Sequence, residues 1–133
     1  MLSRERFELV NQRVVLRGLF DEFQPRGMGE FAPLWPGVDI LPIYGIAPNG
    51  APIDPRQPSA GFIRYAAGAT VPAHRHAGYE HIFVLSGSQS DASGVYERGT
   101  CVMSPPGTTH GVASDRGCLV LAVWNQSVEV LGG

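Results

Sequence analysis

The chain has 133 residues, 44% of them hydrophobic, which suits a single globular domain with one core rather than a disordered segment. Ten basic and twelve acidic residues leave a net charge of -2. That balance, without any basic run, offers no electrostatic footprint for nucleic acid or for an anionic membrane surface.

The N-terminal stretch MLSRERFELVNQRVVLRGLF carries charges throughout and lacks the apolar core of a signal peptide. No apolar run approaches the roughly 18 residues that a membrane-spanning helix needs. A cytoplasmic protein with no membrane and no nucleic-acid partner is therefore expected. Residues 4–16 fit helix and strand equally well. From there on, short β-branched and aromatic runs follow one another: RVVLRGLF, VDILPIY, AGFIRYAAG, EHIFVLSG, GVYERG, TCVMS, THGVAS and GCLVLAVWNQSVEVL. Turn signals separate them, among them PNG, PRQP, SDASG and SPPGT. Seventeen glycines and eleven prolines are spread along the chain as punctuation, which favours an all-β fold over a helix bundle. The polar, proline-rich stretch 46–59 reads as a long hairpin loop, because too little chain precedes it for an independent domain. Cys101 and Cys118 sit inside apolar runs and are expected to be buried thiols acting as small hydrophobes.

All four histidines lie between His74 and His110. The first group runs Gly68, five residues, His74, one residue, His76, three residues, Glu80, six residues, Gly87. The second runs Gly99, five residues, Pro105, one residue, Gly107, two residues, His110. Imidazole and carboxylate are the usual ligands of zinc, iron, manganese and nickel. Alternate side chains of a strand share a face, so His74 and His76 project together. Glu80 keeps the same parity, as do Ile82 and Val84, with Gly78 placed to absorb a bend. His81 has the opposite parity and should point away. His110, entered through the Pro105-Pro106-Gly107 turn, is expected to close the site from across the barrel. Arg64, as an anion-binding group, and Phe62, Tyr44 and Trp124 are candidates for the pocket wall, although surface or core placement suits each of them better.

These two segments resemble cupin motifs 1 and 2, G(X)5HXH(X)3,4E(X)6G and G(X)5PXG(X)2H(X)3N. Every position of the first is matched, by Gly68, His74, His76, Glu80 and Gly87. The second is matched by Gly99, Pro105, Gly107 and His110, with Ser114 in place of its final Asn. The resemblance implies a small cupin barrel, a double-stranded β-helix or jelly roll, with an RmlC-like architecture. PAHRHAGYEHIFVLSGSQSDASGVYERGTCVMSPPGTTHGVASDRGC is further similar to the cupin domain of ChrR-type anti-sigma factors, and LWPGVDILPIY also resembles that group. In that family the matching histidines and glutamate hold zinc, which implies the ligand set His74, His76, Glu80 and His110. The chain departs from those proteins in having no segment with the length or Cys/His content of their N-terminal helical zinc domain, which captures the sigma factor. Two functions follow from the resemblance. One is a metal-dependent enzyme, dioxygenase-like, acting on a small organic substrate, with Glu80 as its catalytic base. The other is a non-catalytic zinc-binding sensor or regulatory module. A homodimer is expected from the apolar N- and C-terminal segments VVLRGLF and VEVL, since small cupins commonly pair through terminal strands.

Overall fold

The computed structural model of the chain describes residues 6–131. Twelve strands follow in order, and no helix occurs among the described residues. They are β1 (Phe7–Val10), β2 (Arg13–Leu16), β3 (Ala32–Trp35), β4 (Val38–Tyr44), β5 (Ser59–Tyr65), β6 (Ala69–Arg75), β7 (Glu80–Asp91), β8 (Gly94–Glu97), β9 (Cys101–Ser104), β10 (Thr109–Ser114), β11 (Cys118–Trp124) and β12 (Glu129–Val130). No helix is long and apolar enough to cross a membrane.

The stretch that fits helix and strand alike is a hairpin over its described part, β1 paired antiparallel with β2; residues 4–5 lie outside the described residues. Asn11 and Gln12 at its tip both adopt positive φ, 50° and 66°. This is the backbone twist that two-residue hairpins prefer, and Asn tolerates it well. The remaining strands run β12-β6-β10-β7-β11-β5-β4-β3, all pairs antiparallel, with β8 and β9 also on β7. The result is the cupin jelly roll that the motifs imply. The twelve residues of β7 join its two sides. Residues 80–87 pair with β11, whereas 88–91 pair with β8 and touch β10.

Two apolar clusters lie on opposite faces of the β4-β5-β11-β7 sheet. Inside the barrel are Val38, Ile40, Ile63, Tyr65, Ile82, Val84 and Val120. Outside, Leu41, Phe62, Leu85, Leu119 and Leu121 are covered by Phe23 with Leu16, Leu19, Met28 and Phe31. Phe23 stacks on Phe62 with ring centroids 5.4 Å apart. Burying each such aromatic contributes roughly 1.5–3 kcal/mol, so the segment before β3 is part of the fold rather than an appendage. Cys118 belongs to the inner cluster, and burial pushes its thiol up to about 11. Cys101, expected to be buried, is only partly so, because β9 pairs with β7 alone.

Two departures from strict alternation decide which side chains face inward. Along β6, Ala69 and Val71 point in, and so do His74 and His76, so the parity changes between them. The register explains it: His110 opposes His74 and Val112 opposes Val71, which leaves Pro72 and Ala73 facing the single residue Gly111. A bulge is one of the few places where a strand accepts proline, since proline has no N–H for the ladder. Along β7 a second irregularity leaves Leu85 unpaired, and the inward set changes from Glu80, Ile82 and Val84 to Gln89 and Asp91.

The motif glycines are not equivalent. Gly87 has φ 68° and lies against β11, where a Cβ would run into the Gly117 carbonyl oxygen; Gly99 has φ 91° with nothing near its Cβ position. Gly99→Ala is expected to cost about 1–2 kcal/mol from the left-handed backbone alone. Gly87→Ala adds a backbone collision and should cost at least about 2 kcal/mol more, read as a lower midpoint in urea denaturation. Equal midpoints for the two variants would show that the β7–β11 approach is not tight.

Candidate metal centre

The structure brings His74, His76, Glu80 and His110 together, with one ligand atom from each lying within 4.8 Å of all the others. His74 ends the inward row of β6 and His76 follows one residue beyond that strand. The chain then bends at Ala77-Gly78, where a Cβ on Gly78 would stand 3.0 Å from Asn125 Cβ, and enters β7 at Glu80. His110 does not come from across the barrel as the sequence suggested. It sits directly opposite His74 on the neighbouring strand β10, because β6 and β10 are adjacent in the sheet. The group reaching over from the other side is Glu80, whose strand segment pairs with β9 and β11.

Each imidazole is held by its Nδ1. His74 Nδ1 lies 3.0 Å from the Pro72 carbonyl, an oxygen next to the β6 bulge. His76 Nδ1 is 2.8 Å from Thr108 Oγ1, whose own proton goes to the Pro105 carbonyl at 2.7 Å. The threonine oxygen therefore accepts from His76. His110 Nδ1 is 3.1 Å from Asp91 Oδ2, and Asp91 Oδ1 accepts from the Ser93 N–H at 2.8 Å and the Tyr96 hydroxyl at 3.1 Å. A carbonyl, a committed hydroxyl and a carboxylate are all acceptors, so Nδ1 carries the proton in all three rings. The Nε2 lone pairs are left free. This outer support is the pattern that orients metal-binding histidines.

Glu80 is 5% exposed and its two oxygens are divided. Oε2 accepts the Trp124 indole N–H at 2.6 Å, while Oε1 faces His76 Nε2 at 3.1 Å and His110 Nε2 at 3.8 Å. His76 Nε2 is buried with no hydrogen-bond partner. The 3.1 Å contact thus sets a lone pair against a carboxylate oxygen, an arrangement that a bound cation would relieve. Burial pushes the Glu80 carboxyl up, yet the group lies below the ordinary carboxylate range, with the indole N–H of Trp124 among the contacts that lower it. Burial pushes His74 down, toward the neutral ligand form. For Asp91, desolvation is outweighed by the His110, Ser93 and Tyr96 hydrogen bonds, and it stays ionised. The donor set fits a divalent first-row metal ion, with His74, His76 and His110 offering Nε2 and Glu80 offering Oε1.

His81 is on the opposite face of β7, packed near Tyr79 and outside the cluster. Of the pocket candidates only Trp124 reaches the site. Alternation on β5 sends Ser59, Ile63 and Tyr65 inward and Phe62 and Arg64 outward, where Arg64 pairs with Asp39 at 3.2 Å and lies over the Phe31 ring. Tyr44 is half exposed at the end of β4. Sequence reasoning missed Thr108 and the Pro72 carbonyl as supports. The signal for Thr108 was its position two residues before His110, on the turn whose backbone also bonds His76.

Beside the cluster is a cavity of about 240 Å³, bordered by His74, Glu80 and His110 and otherwise mainly by apolar side chains, including Trp35, Ile40, Ile63, Ile82 and Val112. Val84, expected on the same wall, lies in the packed core and not on the cavity. The 46–59 loop is more than a connection: Ile46, Gly50 and Pro52 close one side of the cavity, held by an Ile46–Pro52 bridge.

The family model described as the ChrR cupin-like domain matches residues 30–128. No curated protein sequence matches the chain. Among solved structures, the chain is similar to one in the complex of Rhodobacter sphaeroides SigE with the anti-sigma ChrR. There it has 26% identity and a TM-score of 0.56, over 71% of this chain and 47% of that one. An RmlC-like cupin protein from Ralstonia eutropha is 19% identical with a TM-score of 0.61, over 74% and 64% of the two chains. An acetylacetone dioxygenase from Acinetobacter johnsonii is 12% identical with a TM-score of 0.65, over 77% and 72%. The chain thus spans less than two thirds of the length of the first two, and the latter two likenesses concern the fold alone. With the family model covering well over half of the chain, and with both cupin motifs folded into one cluster, the protein belongs to the ChrR cupin-like family.

Proposed function

We propose that the protein binds one divalent metal ion through His74, His76, Glu80 and His110 and uses it on a small, mainly apolar organic molecule, in the manner of a dioxygenase or a related metal-dependent enzyme. The observation that carries this reading is the cavity: three of the four ligand residues form part of its wall, so the metal would face space sized for a compact molecule. The metal would supply Lewis-acid or redox chemistry at that wall. The chain's own contribution is to hold the Nε2 atoms convergent, to keep bulk water out with Trp35, Ile40 and Ile82, and to offer Glu80 Oε1 as the group placed to take a proton. Its other oxygen stays with Trp124, so the carboxylate can change partners without turning.

A second reading is favoured by the family itself: a non-catalytic zinc module of the ChrR type, in which four ligands close the shell and the cavity receives a signal molecule. Oxygen uptake by iron(II)-loaded protein given diketones, thiols and phenolic acids separates the two. Turnover is expected on the first reading. One equivalent of tightly held zinc with no turnover on any of the three transfers the assignment to the second.

Protein purified without added metal should contain close to one equivalent by elemental analysis. His74→Ala combined with His76→Ala should abolish binding, and His81→Ala should leave it intact. Asp91→Asn, which removes the charge behind His110, should weaken affinity about 10- to 100-fold. Less than about a tenth of an equivalent, without uptake on reconstitution, would sink the metal assignment.

A homodimer is also part of the reading. The β3 and β12 edges close the strand order, Val130 is 50% exposed and Leu34 36%. Leu16 and Leu19 of the N-terminal segment are used within the chain, so the C-terminal edge is the more available one. Ultracentrifugation at micromolar concentration should give twice the 14.3 kDa chain mass, and a monomer would refute it.

A further inference from the structure

Within the cavity, apart from the His/Glu cluster and the small hydroxyls of Ser59 and Ser127, one polar pair is bonded across strands. Tyr65 and Gln89 both border the cavity, 5% and 4% exposed. They come from different strands, β5 and β7, and meet inside the barrel, where Gln89 Nε2 donates to the Tyr65 hydroxyl oxygen at 3.3 Å. That bond leaves the hydroxyl proton without an acceptor among the described residues. Burial pushes the phenol well above its ordinary range, so the proton stays in place at any physiological pH. Around the pair the wall is apolar, with Ile40, Ile63 and Val112. A buried donor facing an apolar space is costly unless something accepts from it.

Position on the strand links the pair to the metal end. Gln89 precedes Asp91 by two residues on the same inward row, a step of about 6–7 Å, and Asp91 holds His110. The volume of about 240 Å³ is below the range of drug-sized sites, so one compact molecule would meet both ends at once.

We propose that the Tyr65–Gln89 pair is a second recognition point in the cavity, selecting small apolar-bodied ligands that carry a carbonyl or carboxylate oxygen apart from the group facing the His/Glu cluster. Gln89 orients the phenol by occupying its oxygen, and Tyr65 gives the hydrogen bond. This inference rests on the metal-centre reading, since the cluster is taken to hold the other end of the ligand.

The test uses zinc-loaded protein, its zinc content checked by elemental analysis, titrated calorimetrically with 2-oxohexanoate and 2,5-dioxohexanoate. The two probes share a chelating 2-oxo acid head and differ in one carbonyl on the tail. The native chain should prefer the dioxo acid about tenfold. Tyr65→Phe should erase the preference while leaving zinc content and affinity for 2-oxohexanoate unchanged. Gln89→Met, which keeps the hydroxyl but frees its orientation, should lose most of the preference, so the test stands even if Tyr65→Phe fails to fold. Zinc-loaded native protein that binds neither probe or shows no preference overturns the second recognition point and leaves the metal centre standing. So does a preference that persists in the folded variants. A chain that takes up no zinc overturns the metal centre and this inference together, and the elemental analysis tells the two failures apart.

Discussion

The rest of the structure answers to the convergence of three imidazole Nε2 atoms on one carboxylate oxygen in the interior of a small barrel. Four acceptor atoms within 4.8 Å of one another, largely withdrawn from water, repel unless a cation joins them. Every neighbouring interaction works in the direction that keeps those lone pairs facing each other. Acceptors behind the rings hold the protons on Nδ1, and the Trp124 indole engages the far oxygen of Glu80. The barrel is thus organised around an electrostatic demand as much as around its apolar core.

Convergence depends on two interruptions of strand regularity. An uninterrupted β6 that pointed Ala69 and Val71 inward would turn His74 and His76 to the outside. The bulge at Pro72-Ala73 reverses that parity and leaves the Pro72 carbonyl next to His74. On β7 the unpaired Leu85 does the equivalent, sending Glu80 inward on one side of the barrel and Asp91 inward on the other. One strand therefore supplies both a ligand and the support of a different ligand, because it is long enough to belong to both sides.

The two faces of the β4-β5-β11-β7 sheet have different tasks. Its outer face is packed by Phe23, Leu16 and Leu19 against Phe62 and Leu121, which makes the wall rigid. Its inner face is only partly filled, and the unfilled part is the cavity. A wall stiffened from behind can border an open space without collapsing into it, and such a wall keeps ligand atoms at fixed separations.

Much of the fold was legible along the chain. Glycine and proline punctuation marked the short strands; VDILPIY and THGVAS are β4 and β10 residue for residue. The spacing of His74, His76, Glu80 and His110 named the cluster, because alternation holds over the short stretch between His74 and His76 even where β6 and β7 are interrupted elsewhere. Residues 4–16 stayed open, since a four-residue strand and one helical turn look alike until a partner strand is present. Strand neighbours were beyond reach as well. Nothing local says that β10 lies beside β6, so His110 was expected from across the barrel, whereas the structure sets it directly opposite His74 on the neighbouring strand. The inward set past Val84, and with it Gln89, Asp91 and the unused proton of Tyr65, also depended on the register between β7 and β11. The sequence by itself determined which atoms would seek a metal. Only the tertiary structure decided which sides they come from and what space they face, because bulges and strand order are settled by partners distant along the chain.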